Sequence, residues 1–157
     1  SYMDIDLSTG LTAFTALIDS IASQGYHLSY GSRFASHSVV NRSLKRDFLS
    51  RGYIWIIHIL FRVGFTDAQC GFKAMNRNTA EVLLPYIQDN GWFFDTELMI
   101  VAEKSGLLIK EIPIRWVEDP NSKVKIWSTI MRDIRGLLRL KLNGVAEPFC
   151  RINEPRE

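Results

Sequence analysis

Sulfur chemistry is scarce in this chain of 157 residues: Cys70 and Cys150 are its two cysteines, and neither stands at a metal-ligand spacing. Neither a disulfide framework nor a zinc site is indicated, and both read as ordinary reduced thiols of a cytosolic protein. No internal repeat, low-complexity tract or signal peptide is recognisable. Long hydrophobic runs are missing as well. The greasiest stretch, Tyr53 to Phe61, is about half of the roughly 20 residues that cross a bilayer, and His58 interrupts it. Net charge is only +2, and no surface of interleaved basic and aromatic residues is apparent, which argues against a nucleic-acid partner. What is present, 46% hydrophobic and 23% charged residues, is enough for one globular domain with a hydrophobic core.

Periodicity predicts alternating elements. Leu11, Phe14, Leu17, Ile18 and Ile21 have helical spacing, residues 27–32 read as a short strand, and a long helical pattern runs from about Arg42 to Arg62. Residues 70–76 form a weaker strand candidate. A helix limited by Pro85 follows, and then a helix from about Phe94 that Gly106 ends. Residues 107–117 are extended, with Pro113 favouring an edge or irregular strand, and a last helix covers about Val124 to Asn143. Strands and helices alternating in this way predict an α/β layer structure.

The polar residues fall into four groups. Asp4 and Asp6 share one face if Tyr2 to Ile5 form a strand, and their hard carboxylate oxygens suit magnesium or manganese. An isolated pair of this kind serves equally well as helix caps or solvated loop residues. Between Arg33 and Arg62 the basic residues Arg42, Lys45, Arg46 and Arg51 face one acid, Asp47. Arg42, Lys45, Arg46 and Ser50 lie on one helical face, either a phosphate-binding face or a solvated one. Asp67, Gln69 and Lys73 surround a Cys-Gly-Phe turn in which Gly71 permits close approach. Asp95 and Glu97 open a helix, where Asp95 serves as an N-cap or as a catalytic acid or base. His58 is assigned to packing, and Trp92, Phe93 and Phe94 to core or pocket wall.

In order along the chain, "DIDLST", "GSRF", "KRDFLSRG", "TDAQCGFKAMNR", "FFDTELM" and "IPIRWVEDPNSKVK" resemble the later two thirds of a family 2 glycosyltransferase. The branch is the one similar to dolichyl-phosphate mannose synthase and dolichyl-phosphate glucosyltransferase. That resemblance implies a GT-A-like layered sheet flanked by helices, here expected without its N-terminal nucleotide-binding half. It implies inverting transfer of one hexose from UDP-glucose, GDP-mannose or a similar donor to a polyprenyl phosphate such as dolichyl or undecaprenyl phosphate. Carried onto these residues, it makes Asp4 and Asp6 the pair that meets donor diphosphate and Mg2+ or Mn2+, with Asp6 the closer metal ligand. Arg33 falls at a donor-phosphate position, Arg46 and Ser50 at acceptor-phosphate positions, and Asp67 near the reaction centre. Asp95 and Glu97 fall near the family's base, so the base assignment lies open between Asp67 and Asp95. Arg115 and Trp116 stand in a strand-like context unlike the QxxRW mark of processive synthases, which favours single transfer.

A phosphate acceptor, with a second ionisation near pH 6, is already largely dianionic and needs charge screening more than a base. A saccharide hydroxyl acceptor would need the base. The last helix carries Arg132, Arg135, Arg139 and Lys141 beside a stripe of Ile126, Ile130, Ile134, Leu138 and Leu142. This pattern suits either an anionic membrane surface or core packing with a basic outer face. The expected organisation is a catalytic-domain segment over 1–143 and a loosely ordered tail over 144–157, located in the cytoplasm at the cytoplasmic face of a membrane. The competing readings are an inactive fragment and a basic module that binds phosphate or membrane surfaces. The sequence sets no oligomeric state.

Overall fold

A computed structural model describes residues 1–4, 9–117, 126–146 and 148. Its elements are α1 (Phe14–Ala22), β1 (Leu28–Ser32), β2 (Val39–Asn41), α2 (Leu44–Phe61), β3 (Lys73–Met75), α3 (Arg77–Leu83), α4 (Phe94–Lys104), β4 (Ile109–Pro113), β5 (Arg115–Val117) and α5 (Ile126–Asn143). A single-turn 3-10 helix, Leu11–Ala13, leads into α1, and another, Leu84–Tyr86, follows α3. The helices and strands expected from Leu11 onward are thus present, and the architecture is mixed α/β. β2 is an addition: residues 39–41 pair in parallel with β5, from Val39↔Arg115 to Asn41↔Val117.

The larger sheet has the order β3-β1-β4. β1 is antiparallel to β3, with Tyr30 opposite Lys73, and parallel to β4, with Leu28 opposite Ile109 and Ser32 opposite Pro113. β4 is an edge among the described residues, the position in which Pro113 is tolerated. Tyr2 lies beyond β3, exchanging two backbone hydrogen bonds with Lys73 at 2.9 and 3.1 Å. Of the strand expected over Tyr2 to Ile5, this single bridge is what the structure describes; Ile5, Asp6 and Ser8 lie outside the described residues.

All five residues of β1 are buried although its sequence is Leu-Ser-Tyr-Gly-Ser. Alternation explains this. Leu28 and Tyr30 join a core with Ile57 and Phe61 of α2, Leu98 of α4 and Leu137 of α5, whereas the other face meets α1 through small residues. There the Ser29 hydroxyl donates to the Leu17 carbonyl at 2.8 Å, and Leu17, Phe72, Ile112 and Ile114 form a second apolar cluster. Each fully buried aliphatic or aromatic side chain contributes roughly 1.5–3 kcal/mol, and the two clusters clamp the sheet between helices. α3 is capped by Asn76, whose side chain accepts from the Thr79 amide at 2.7 Å. No described helix is long and apolar enough to cross a membrane. Of the tail over 144–157, residues 144–146 and 148 fall inside the description, and Cys150 falls outside it.

Candidate functional site

Arg33 leaves the end of β1 and Asp67 sits on the turn after α2, and the two form a forked ion pair. Arg33 Nε and Nη2 donate to Asp67 Oδ2 and Oδ1 at 2.7 and 2.8 Å, and the Arg33 amide donates to Oδ2 at 3.0 Å. The Gln69 amide adds a fourth bond to Oδ1 at 3.2 Å. Asp67 is only 1% exposed. Burial alone would raise its pKa, but the guanidinium beside it outweighs that effect and holds the carboxyl below the usual carboxylate range. The Ser32 and Thr66 hydroxyls, 2.7 Å apart, tie the same turn to β1, and Thr66 also bonds Glu111 of β4.

Beside this pair lies a second buried charge. Lys73, fully buried on the sheet face toward α4, donates to the Ala68 and Cys70 carbonyls at 3.1 and 2.5 Å and to Asp95 Oδ1 at 2.5 Å. The same Asp95 oxygen accepts from the Tyr2 hydroxyl at 2.7 Å. Burial, followed by the Asp95 charge, pushes the Tyr2 phenol well above its ordinary range, so it remains a neutral donor. Asp95 is not the cap of α4, because Phe93 occupies that position; it lies in the first helical turn, where negative charge is favoured. Glu97, fully buried, accepts from the Gln88 and Asp89 amides and from Arg139 Nη2 of α5 at 2.7 Å. Its role here is to join α4, the 88–89 turn and α5.

Asp4 reaches the same cluster from the N-terminal side. Its carboxylate rests on Gly71, where any Cβ would lie 2.0 Å from Asp4 Oδ1. The close approach expected at Gly71 is therefore made by a side chain of the protein. Asp4 and Asp67 both lie close enough to Arg33 to favour its charged form, although burial works against that charge. Asp4 brings hard carboxylate oxygens next to the Asp67 turn, the donor type that magnesium or manganese takes together with phosphate oxygens. Among the described residues no group of three or more His, Cys, Asp or Glu is placed to hold a metal.

The basic half of α2 approaches through Phe34. The guanidinium carbons of Arg33, Arg42 and Arg51 lie 6.0, 5.5 and 4.7 Å from its ring centroid, and Arg33 is also 5.6 Å from that of Trp116. Asp47 pairs with Arg51 at 2.7 Å and with Arg42 at 3.5 Å. Arg46 and Ser50 are half-buried on the same helix, and the Arg46 carbonyl accepts from Arg42 Nη2 at 2.5 Å. Arg42 and Arg51 share the Phe34 ring with Arg33; helical spacing grouped Arg42, Lys45, Arg46 and Ser50, and the resemblance singled out Arg46.

The final contributor comes from α5. Its inward edge is Asp133, Gly136, Leu137 and Leu140, an i, i+3, i+4, i+7 set, while Ile134, Leu138 and Leu142 of the expected stripe are exposed. Asp133, 4% exposed, accepts from Gln69 Nε2 at 2.9 Å. Burial, reinforced by the charge of Asp89 and opposed by the Gln69 bond, pushes its carboxyl up to about 7. Sequence reading missed Asp133 as a site neighbour, and the signal available was its place in that four-residue stripe. Tyr2 and the central position of Lys73 had no such signal. Trp92 is exposed while Phe93 is buried in the core, and His58 bonds the Phe65 carbonyl at 2.8 Å as a packing residue.

No protein-family model matches the chain. Glycosyltransferase AglD of Haloferax volcanii is 35% identical over 136 residues, which are 87% of this chain and 21% of AglD. The dolichyl-phosphate β-glucosyltransferase of Saccharomyces cerevisiae is 36% identical over 58% of this chain and 27% of its own length. That of Mus musculus is 32% identical over 73% of this chain and 39% of its own. The chain thus spans between about a fifth and two fifths of these relatives. It is a homologue, over part of their length, of the family 2 glycosyltransferases AglD and dolichyl-phosphate β-glucosyltransferase.

Proposed function

We propose that this chain forms part of an inverting, GT-A-like glycosyltransferase that moves one hexose from a nucleotide diphosphate sugar to a polyprenyl phosphate. The observation that carries this reading is the state of the two candidate bases. Asp67 is held ionised with both oxygens committed to Arg33 and Gln69, and Asp95 is committed to Lys73 and Tyr2. Asp67, held below the usual carboxylate range, is a weak proton acceptor, and Asp95 already has one oxygen taken by two donors, an arrangement that serves a hydroxyl nucleophile poorly. A phosphate dianion brings its own charge and needs cations. Arginine is plentiful here, at positions 33, 42, 46 and 51, with Ser50 as a neutral donor.

In this mechanism a phosphate oxygen of the acceptor attacks the anomeric carbon as the bond to the donor's β-phosphate oxygen breaks, and the nucleoside diphosphate departs. No proton has to move. Arg33, fixed in orientation by Asp67, presents its remaining N–H groups toward phosphate, while Lys73 and Asp95 fix the turn over Ala68 and Cys70. Asp4 and Asp6 would hold Mg2+ or Mn2+, whose contribution is to neutralise diphosphate charge.

A lipid acceptor places the protein at a bilayer. The exposed Leu44, Phe48, Trp55 and Ile59 of α2 and the exposed Ile134, Leu138 and Leu142 of α5, with Lys45, Arg51, Arg132, Arg135 and Lys141 among them, support an anionic membrane surface as the partner. The test is transfer of radiolabelled sugar by the full-length protein from UDP-glucose or GDP-mannose, with dolichyl phosphate and a saccharide as parallel acceptors. Label on the lipid phosphate is expected. Label on the saccharide alone would overturn the acceptor assignment, and label on neither would overturn the activity. Leu138→Asp is expected to weaken co-sedimentation with anionic vesicles; unchanged binding would remove the membrane face.

A further inference from the structure

Three of the four residues on the inward edge of α5 are what a buried helical edge requires: Gly136, Leu137 and Leu140. The fourth is a carboxylic acid. At the position of Asp133 a leucine would bury apolar surface, whereas the acid buries an oxygen, Oδ1, that has no hydrogen-bond partner among the described residues. Its other oxygen is engaged in a short relay. Gln69 Nε2 donates to Asp133 Oδ2 at 2.9 Å, the Gln69 amide donates to Asp67 Oδ1 at 3.2 Å, and Asp67 holds the fork of Arg33. The helix cannot slide freely beneath this relay. Gly136 lies against the buried Phe93, where a Cβ would meet the ring at 2.4 Å, and Arg139 is bonded to the buried Glu97.

We propose that Asp133 is a positioning residue for sugar transfer, holding Gln69 so that the Asp67 turn presents Arg33 in one orientation; this rests on the reading of the site given above. Asp133 touches no substrate in this role and acts wholly through Gln69. Since α5 also carries the exposed apolar face of Ile134, Leu138 and Leu142, one helix joins the membrane-facing side to the Arg33–Asp67 pair.

The test compares Asp133→Leu, Asp133→Asn, Gln69→Leu and the Asp133→Leu/Gln69→Leu double variant in the full-length protein, by melting temperature and by steady-state transfer to dolichyl phosphate. Asp133→Leu is expected to melt at or above the unsubstituted protein and to lose about tenfold or more in kcat, with the donor KM nearly unchanged. Asp133→Asn, whose amide oxygen still accepts from Gln69, is expected to stay within about threefold, and the double variant to be no worse than either single variant. Full kcat in Asp133→Leu, or multiplying losses in the double variant, would overturn the proposal. Should Asp133→Leu not fold, Gln69→Leu decides, and full kcat there is equally fatal. An unsubstituted protein inactive with every donor and acceptor brings down the functional reading and this proposal together, whereas an active one with an unaffected Asp133→Leu removes only the proposal.

Discussion

Asp67 on its turn and Asp133 on the inward edge of α5 differ by a few percent in exposure and are joined through one residue, Gln69. Their carboxyls nevertheless move in opposite directions. Asp67 faces a guanidinium fork and lies below the ordinary range; Asp133 faces a neutral amide and rises to about 7. Burial penalises both charges, so the partner decides the sign. The region built on opposite charges is locked in its ionised form, whereas the region built on one amide hydrogen bond stays near its point of titration at neutral pH.

The comparison breaks most sharply at Arg33. Arg33→Met would leave the Asp67 charge buried opposite an apolar chain, a change of the kind that costs about 3–5 kcal/mol. Urea denaturation is expected to show a loss of that order and the transfer assay a near-complete loss. A stability loss below about 1 kcal/mol would mean that water or another cation compensates Asp67.

A smaller effect separates the two acids by pH. The ordinary aspartate value is about 3.9, and Asp133 lies above it when folded, so the folded state binds this proton more tightly than the unfolded chain. Its contribution to stability is therefore largest below about 4 and is lost as pH rises through about 7. Asp67 runs the other way: its contribution is complete above about 3.9 and is lost as pH falls through its lowered value. Comparing denaturation midpoints of the unsubstituted protein and Asp133→Asn from pH 4 to pH 8 is expected to show the unsubstituted protein gaining relative stability toward acid. Parallel curves would show that Asp133 does not titrate in this window.

Such pairings mark the boundary of what the sequence could disclose. Helical patterns located α1, α2 and α5 within one window, whereas α4, buried on every side from Thr96 to Ala102, was marked by its stop at Gly106. β2 escaped because residues 39–41 become a strand only by pairing with β5, more than seventy positions away. Asp4, Arg33, Asp67 and Asp95 were recognised as chemical groups, yet the Arg33–Asp67 bond spans 34 positions and the Tyr2–Asp95 bond spans 93. Spacing gives no access to such separations. α5 shows the limit within one helix. The every-fourth-residue pattern of Ile134, Leu138 and Leu142 is regular, but burial follows the neighbouring stripe through Leu137 and Leu140, and that stripe carries Asp133 inward.

The smallest expected effect on stability belongs to Arg51, and it tests whether arginines around one ring are equivalent. Arg33 and Arg51 both lie over Phe34, but the Arg33 side chain is 13% exposed and bonded to a buried acid, whereas that of Arg51 is 64% exposed and bonded to Asp47 one helical turn away. Exposed pairs at this spacing contribute about 0.3–0.5 kcal/mol, because solvent screens the attraction and both side chains lose freedom in making it. Arg51→Ala is therefore expected to leave the denaturation midpoint almost unchanged. If Arg51 also faces phosphate, its removal lowers transfer several-fold at unchanged stability, and added salt narrows the difference by screening the same charge in the unsubstituted protein. If transfer is unaffected, Phe34 divides its arginines into one that belongs to the site and one that only covers the ring.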